Sequence, residues 1–234
     1  GASGIAAFYA LVGAFGLWQM LRLRELPVAA APGRWASQLS VVASLWHDPV
    51  VFLLSGSNLS FGFCAAFMNG YVNATYTAAN FGPLAVAQLS GLTAITAVVC
   101  SHLFGRLGTA VGKGPVVALG SACFFCIPLC FKALQSSFLP HWWIIVLYML
   151  QGVGRALYES TNKGVFSDFF PNNSLGAFAN CMLQSSLASA LCFFLSDFLR
   201  GRTLERVVMV LAGFTPLGYA MACFLRRSSY SSTK

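Results

Sequence analysis

The 234-residue chain is 57% hydrophobic and only 9% charged, with a mean hydropathy of +0.72. Soluble domains carry about 25% charged residues to cover a surface that meets water, so this composition excludes an ordinary soluble domain and makes the lipid bilayer the main partner. The formal net charge of +8 comes from basic residues set between apolar runs; that pattern fits the positive-inside rule rather than a nucleic-acid surface, and no nucleic-acid partner is expected.

In chain order, the first apolar run covers 1–20. Arg22 and Arg24 follow its apolar core, whereas a signal peptide carries its positive charge before the core, so the run predicts a transmembrane helix. The chain opens at Gly1 inside that run, without an initiator Met, and reads as a fragment of a longer protein. Residues 21–48 form the longest connection. Within it, 38–46, with apolar Leu39, Val42, Leu45 and Trp46, predicts a short interfacial helix. Asp48-Pro49 then starts the next span.

Further apolar runs follow at 49–72, 84–106, 115–134, 141–160, 176–198 and 206–225, which makes seven in all. A spanning helix needs roughly 20 residues. These runs also lack the period-two alternation of barrel strands, so each predicts a helix. The polar tail at 226–234 closes the chain. The expected fold is thus an all-α membrane protein.

Basic residues set the orientation. With 21–48 cytoplasmic, that side carries Arg22, Arg24, Arg34, Arg106, Lys113, Lys163, Arg226, Arg227 and Lys234. The opposite side carries Lys132, Arg200, Arg202 and Arg206. The nine-to-four excess favours this topology and a cytoplasmic tail. It also puts the sequon Asn73-Ala74-Thr75 in the first external loop, where a glycan is possible.

Polar residues inside the spans are the candidates for function. Arg155 and Glu159 lie four apart on one helix face, with Gln151, Tyr158 and Asn162 continuing it, and the Glu falls near the cytoplasmic membrane edge. Such charges face a bundle interior or a water-filled cavity and usually find partners. A second stripe runs along 49–72 through Ser55, Asn58, Gly62, Ala66, Asn69 and Asn73. Shorter patches are Asn180, Gln184 and Ser185 on 176–198, and Gln88 with Thr96 on 84–106. Asn58, Asn69, Gln151, Arg155, Glu159, Asn180 and Gln184 are therefore the candidates for lining a cavity or forming a gate. Structural pairing between helices is the competing reading.

Enzymatic and metal chemistry find no support. Cys123, Cys126 and Cys130 are spaced like ligands but lie among apolar residues, with no His or carboxylate nearby in sequence. His47, His102 and His141 fall at membrane edges, away from any nucleophile–base arrangement. No catalytic residue, cofactor or metal site is expected.

The segment from Gly105 to Pro115 resembles the signature turn of the major facilitator superfamily, between the second and third helix of each six-helix half. Gly105, Leu107, Gly112, Lys113 and Pro115 match that turn, while Thr109 stands where an Asp is usual and Ala110 where a basic residue is usual. Placed by this loop, 1–20 is the sixth helix of a twelve-helix protein. Residues 21–48 become the cytoplasmic linker between halves, 49–225 the C-terminal six-helix bundle and 226–234 a cytoplasmic tail.

Residues 49–198 also resemble the Unc-93-like family of that superfamily. The likeness rests on Gln151-Gly152-Val153-Gly154, on Phe169-Phe170-Pro171, on Gly176 to Asn180, and on Gln184-Ser185 before Phe193 to Ser196. Arg155 replaces the family's acidic residue. The resemblance implies transport of a small solute or ion, completed by a missing N-terminal six-helix half. The alternatives are a non-transporting regulator or trafficking partner of another membrane protein such as an ion channel, or a half protein that pairs with a second chain.

Overall fold

The computed structural model describes residues 42–196, 198–199 and 201–231, with side chains to 227, together with 11, 14, 15, 17–19, 21, 22 and 40. The chain divides into two compact units, Gly1–Ala36 and Ser37–Lys234. In the first, the described residues 11, 14, 15, 17–19 and 21 are helical, and the Arg22 guanidinium lies 3.9 Å over the Trp18 ring. Residues 1–10, 12, 13, 16, 20, 23–39 and 41, which hold most of the expected first helix and linker, lie outside the described residues.

The second unit contains six long helices among the described residues. α1 runs Pro49–Phe81, α2 Pro83–Ala110 and α3 Lys113–Gln135. α4 covers 144–169, α5 is Ser174–Ser196 and α6 is Gly201–Ser231. Local sequence sets their starts. The Asp48 carboxylate accepts from Val50 N at 2.9 Å, with Pro49 at the first helical position. Gly82 and Gly112 break the chain on either side of α2, with φ of 82° and 88°. Only glycine adopts that region readily, which is why so short a connection as Val111-Gly112 can reverse the chain.

Five helices among the described residues are long and apolar enough to cross a membrane: α1, α2, α3, α6 and the helical stretch Pro171–Ser196 that contains α5. α4 is the exception. It is long enough, but Gln151, Arg155, Glu159, Thr161 and Asn162 dilute its apolarity, so the run expected at 141–160 is a helix that falls short of the others in hydropathy. Helix ends also overrun the apolar runs. α1 continues to Phe81, α4 to Phe169 and α6 to Ser231.

Two segments widen into π-helix: Phe67–Thr77 in α1 and Leu157–Asn162 in α4. Their i→i+5 hydrogen bonds put more residues in each turn, so side chains leave the 3.6-residue stripe expected from sequence.

α1 is central, with 67% of its span buried against 11% for α2. It packs on α5 and α6, while α2 packs on α4, and α3 on α4 and α6. Close approach uses Gly62, where a Cβ would fall on the Ser185 carbonyl oxygen. Two apolar clusters fill the bundle. One, at the end marked by His141, contains Phe67, Met68, Phe131, Leu147 and Leu204. The other, at the end marked by Lys113, contains Val51, Leu54, Val116, Leu157 and Phe166.

Candidate functional site

Asn58 is at the centre of the bundle's polar interior. Its side chain is fully buried on α1. Nδ2 donates to Gln184 Oε1 on α5 at 2.7 Å, and Oδ1 accepts from Asn162 Nδ2 on α4 at 2.7 Å. Asn162 Oδ1 accepts in turn from Ser57 Oγ at 2.5 Å. One chain of amides therefore ties α1, α4 and α5 together. Tyr158 sits beside it, stacked on Phe61 with centroids 3.9 Å apart and its hydroxyl 2.8 Å from Ser185 Oγ. These bonds join three helices, which is the interhelical pairing that competes with a cavity role.

Several candidates part company with their sequence neighbours. Asn180 is buried, but its Oδ1 accepts from Trp46 Nε1 at 2.6 Å and its Nδ2 donates to Val42 O at 3.0 Å. The segment expected as an interfacial helix is thereby pinned to α5. Asn69 lies in the π segment and is exposed, so it no longer shares a face with Asn58. Gln151 is buried, Gln88 is exposed, and Thr96 lies against Gly152 where α2 meets α4.

The expected external loop at 73–75 is helical. Asn73 Nδ2 donates to Asn69 O at 3.2 Å, Asn73 Oδ1 accepts from the Tyr148 hydroxyl, and Thr75 Oγ1 donates to Tyr71 O at 2.6 Å. A glycan needs a free, flexible Asn-X-Thr segment. Glycosidase treatment is thus expected to leave the mobility of the expressed protein unchanged at this sequon; a shift that disappears in N73Q would contradict the geometry.

The signature-like segment is also mostly helix. α2 continues through Ala110, so Gly105 and Leu107 are exposed helical residues and the turn itself is only Val111-Gly112. Thr109 Oγ1 donates to Arg106 O at 2.7 Å within its own helix. Lys113 does bridge elements: Nζ lies 2.5 Å from Asp168 Oδ2 at the end of α4. Pro115 stands in the first turn of α3. At the same end, Arg226 of α6 bonds the Phe169 carbonyl and lies 5.5 Å over the Phe169 ring.

Arg155 and Glu159 form the other ion pair among the described residues, Nε to Oε1 at 2.8 Å. Their faces differ from those expected: Gln151, Tyr158 and Asn162 turn inward, while this pair is 46% and 39% exposed. Depth differs too. Because α4 runs on to Phe169, Arg155 stands 11 residues after Ile144 and 14 before Phe169, about 16 Å and 21 Å at 1.5 Å per residue. The pair stands in the middle of the helix.

Sequence reasoning missed the second partners of this interior. Ser60 Oγ lies 3.0 Å from Thr215 Oγ1, joining α1 to α6. Thr77 Oγ1 lies 3.0 Å from the Tyr148 hydroxyl, and Thr93 Oγ1 donates to Tyr148 O at 3.0 Å. Among the described residues, no three His, Cys, Asp or Glu side chains converge.

Comparison with known proteins accounts for this architecture. Over 173 residues the chain is 31% identical to Protein unc-93 homolog A of Bos taurus, covering 72% of this chain and 37% of that protein. Against the Mus musculus protein of the same name, identity is 25% over 194 residues, covering 83% and 42%. The chain is a distant homologue of Unc-93 homolog A. The Danio rerio protein agrees, at 24% over 183 residues, covering 75% and 38%. No family model matches the chain, and no solved structure does. The chain spans about two fifths of the length of the Unc-93 relatives it matches. With its long apolar helices, this homology makes it an integral multi-pass membrane protein.

Proposed function

We propose that this bundle is the C-terminal half of a major-facilitator-type transporter, which moves a small solute by alternating access, with the exposed face of α4 turned to the central path. The observation that carries this reading is the Arg155–Glu159 pair, exposed and about halfway along α4. Setting a charged side chain against hydrocarbon at a helix centre costs roughly 2.5–3.5 kcal/mol. A pair placed there belongs against water or against another protein surface. In this arrangement 1–20 supplies the last helix of the first half, 21–48 the linker, 49–225 the second bundle and 226–234 a cytoplasmic tail. Asn69 joins the path, whereas Asn58, Gln151, Asn180 and Gln184 hold the bundle together behind it. Lys113 with Asp168 braces the cytoplasmic end.

The test uses full-length protein in proteoliposomes, on a background freed of native cysteines. R155C and E159C are expected to react with a charged, membrane-impermeant thiol reagent. L119C and L217C, on the exposed sides of α3 and α6, are expected to stay unmodified. No uptake of any member of a broad ion and metabolite panel sinks the proposal.

A second reading keeps the fold and drops transport: a regulator or trafficking partner of another membrane protein. It is favoured by Thr109, which among the described residues bonds only within its own helix, at the position where a charge is usual in the signature turn. Affinity purification that recovers a stoichiometric membrane-protein partner, together with absent uptake, would establish it.

A further inference from the structure

Resting on the transport reading, we infer that the Arg155–Glu159 face binds a small zwitterion, with the solute's carboxylate on Arg155 and its ammonium on Glu159. The two side chains meet through a single contact, Arg155 Nε to Glu159 Oε1 at 2.8 Å. Among the described residues neither side chain makes any other hydrogen bond. A guanidinium has five N–H donors in a fixed fork, and a carboxylate offers about four acceptor sites. Both Nη groups of Arg155 and the Oε2 of Glu159 are therefore unspent. The Nη fork is the geometry that takes a carboxylate through two parallel bonds. Oε2 suits the point charge of an ammonium.

Charge balance selects the solute. The pair is net neutral, so a lone anion facing Glu159 or a lone cation facing Arg155 would bring a like-charge contact. A zwitterion brings none, and matches both halves of the pair at once. Glu159 also lies in the π-helical segment Leu157–Asn162, and such segments recur at functional sites.

The inference is tested by equilibrium binding to full-length protein in nanodiscs, which does not require transport. The probes are neutral α-amino acids, their matching α-hydroxy acids and their α-amino amides; the second set lacks the ammonium and the third the carboxylate. Amino acids are expected to bind roughly 10-fold to 100-fold more tightly than either analogue, the worth of one charge-assisted hydrogen-bonding group. R155Q and E159Q are each expected to remove that preference, R155Q making the amino acid bind no better than its amide and E159Q no better than its hydroxy acid. R155K, which keeps the charge but loses the fork, is expected to fall between. Hydroxy acids binding as well as amino acids, R155Q retaining full amino-acid affinity, or no amino-acid binding by the wild type overturns the inference. Uptake of other solutes unaffected by R155Q would sink this site but leave transport standing. Selective amino-acid binding without uptake would keep the site and sink transport.

Discussion

N58L is expected to destabilise the bundle by about 2–6 kcal/mol, because one buried amide serves partners on two other helices. Removing the Asn58 amide orphans Gln184 Oε1 and Asn162 Nδ2 together. Each buried polar atom left without a partner costs roughly 1–3 kcal/mol. Leucine keeps the volume, so the loss reports hydrogen bonding and not a cavity. The double variant N58L/N162L separates the two. Ser57 keeps its bond to Leu54 O at 3.0 Å when Asn162 is gone, and only Gln184, half-buried, loses its partner. The double variant is therefore expected to be more stable than the sum of the single losses predicts. Reversible unfolding of the full-length protein in mixed micelles measures all three. Strict additivity, or a loss below about 0.5 kcal/mol for N58L, would mean that the three helices are held by apolar packing alone.

How far the sequence foretells this interior depends on the element. Composition alone sets the solvent as lipid, and Asp48-Pro49, Gly82-Pro83 and Gly112 mark helix boundaries where capping and positive φ require them. Apolar runs locate the helices but not their ends. Lipid thickness limits the apolar stretch, while the backbone continues through polar residues such as 163–169 as long as its hydrogen bonds are satisfied.

Helix faces are the least legible. Asn58 and Asn69 lie at helical spacing, yet one is buried and the other exposed, because Phe67–Thr77 is π-helical. No residue type announces a π turn, so a 3.6-residue wheel drawn through it misassigns everything beyond. A π turn at Leu157–Asn162 likewise lies between Arg155 and Asn162, whereas Gln151 and Arg155 diverge within regular α-helix. Long-range partners are illegible for a different reason. Trp46 with Asn180 and Ser60 with Thr215 are 134 and 155 residues apart, and a hydroxyl or an indole on an apolar run does not say which helix it will meet.

Charge reversal at R155E is expected to reduce zwitterion binding and uptake by at least about 100-fold, one bidentate charged contact replaced by a repulsion, while changing stability by less than about 1 kcal/mol. The small stability effect follows from the environment assigned to the face. In a water-filled path an exposed i,i+4 pair is worth about 0.3–0.5 kcal/mol, and a like-charge pair costs a similar amount. Were the same face pressed against dry protein, breaking the pair would cost roughly 3–5 kcal/mol, and the protein would fail to fold rather than fail to bind. The swap R155E/E159R then distinguishes a solute site from a helix-stabilising pair. It restores an ion pair and a net neutral face but reverses its polarity along α4. A pair that serves only α4 loses nothing functional in the swap. A zwitterion can rotate to meet the reversed charges but must shift its side chain relative to the rest of the path, so binding is expected to return in part and with altered preference among amino acids. Full recovery with unchanged preference would assign the pair to helix stability alone, and no recovery with intact folding would mean that Arg155 is read together with a group on the facing half.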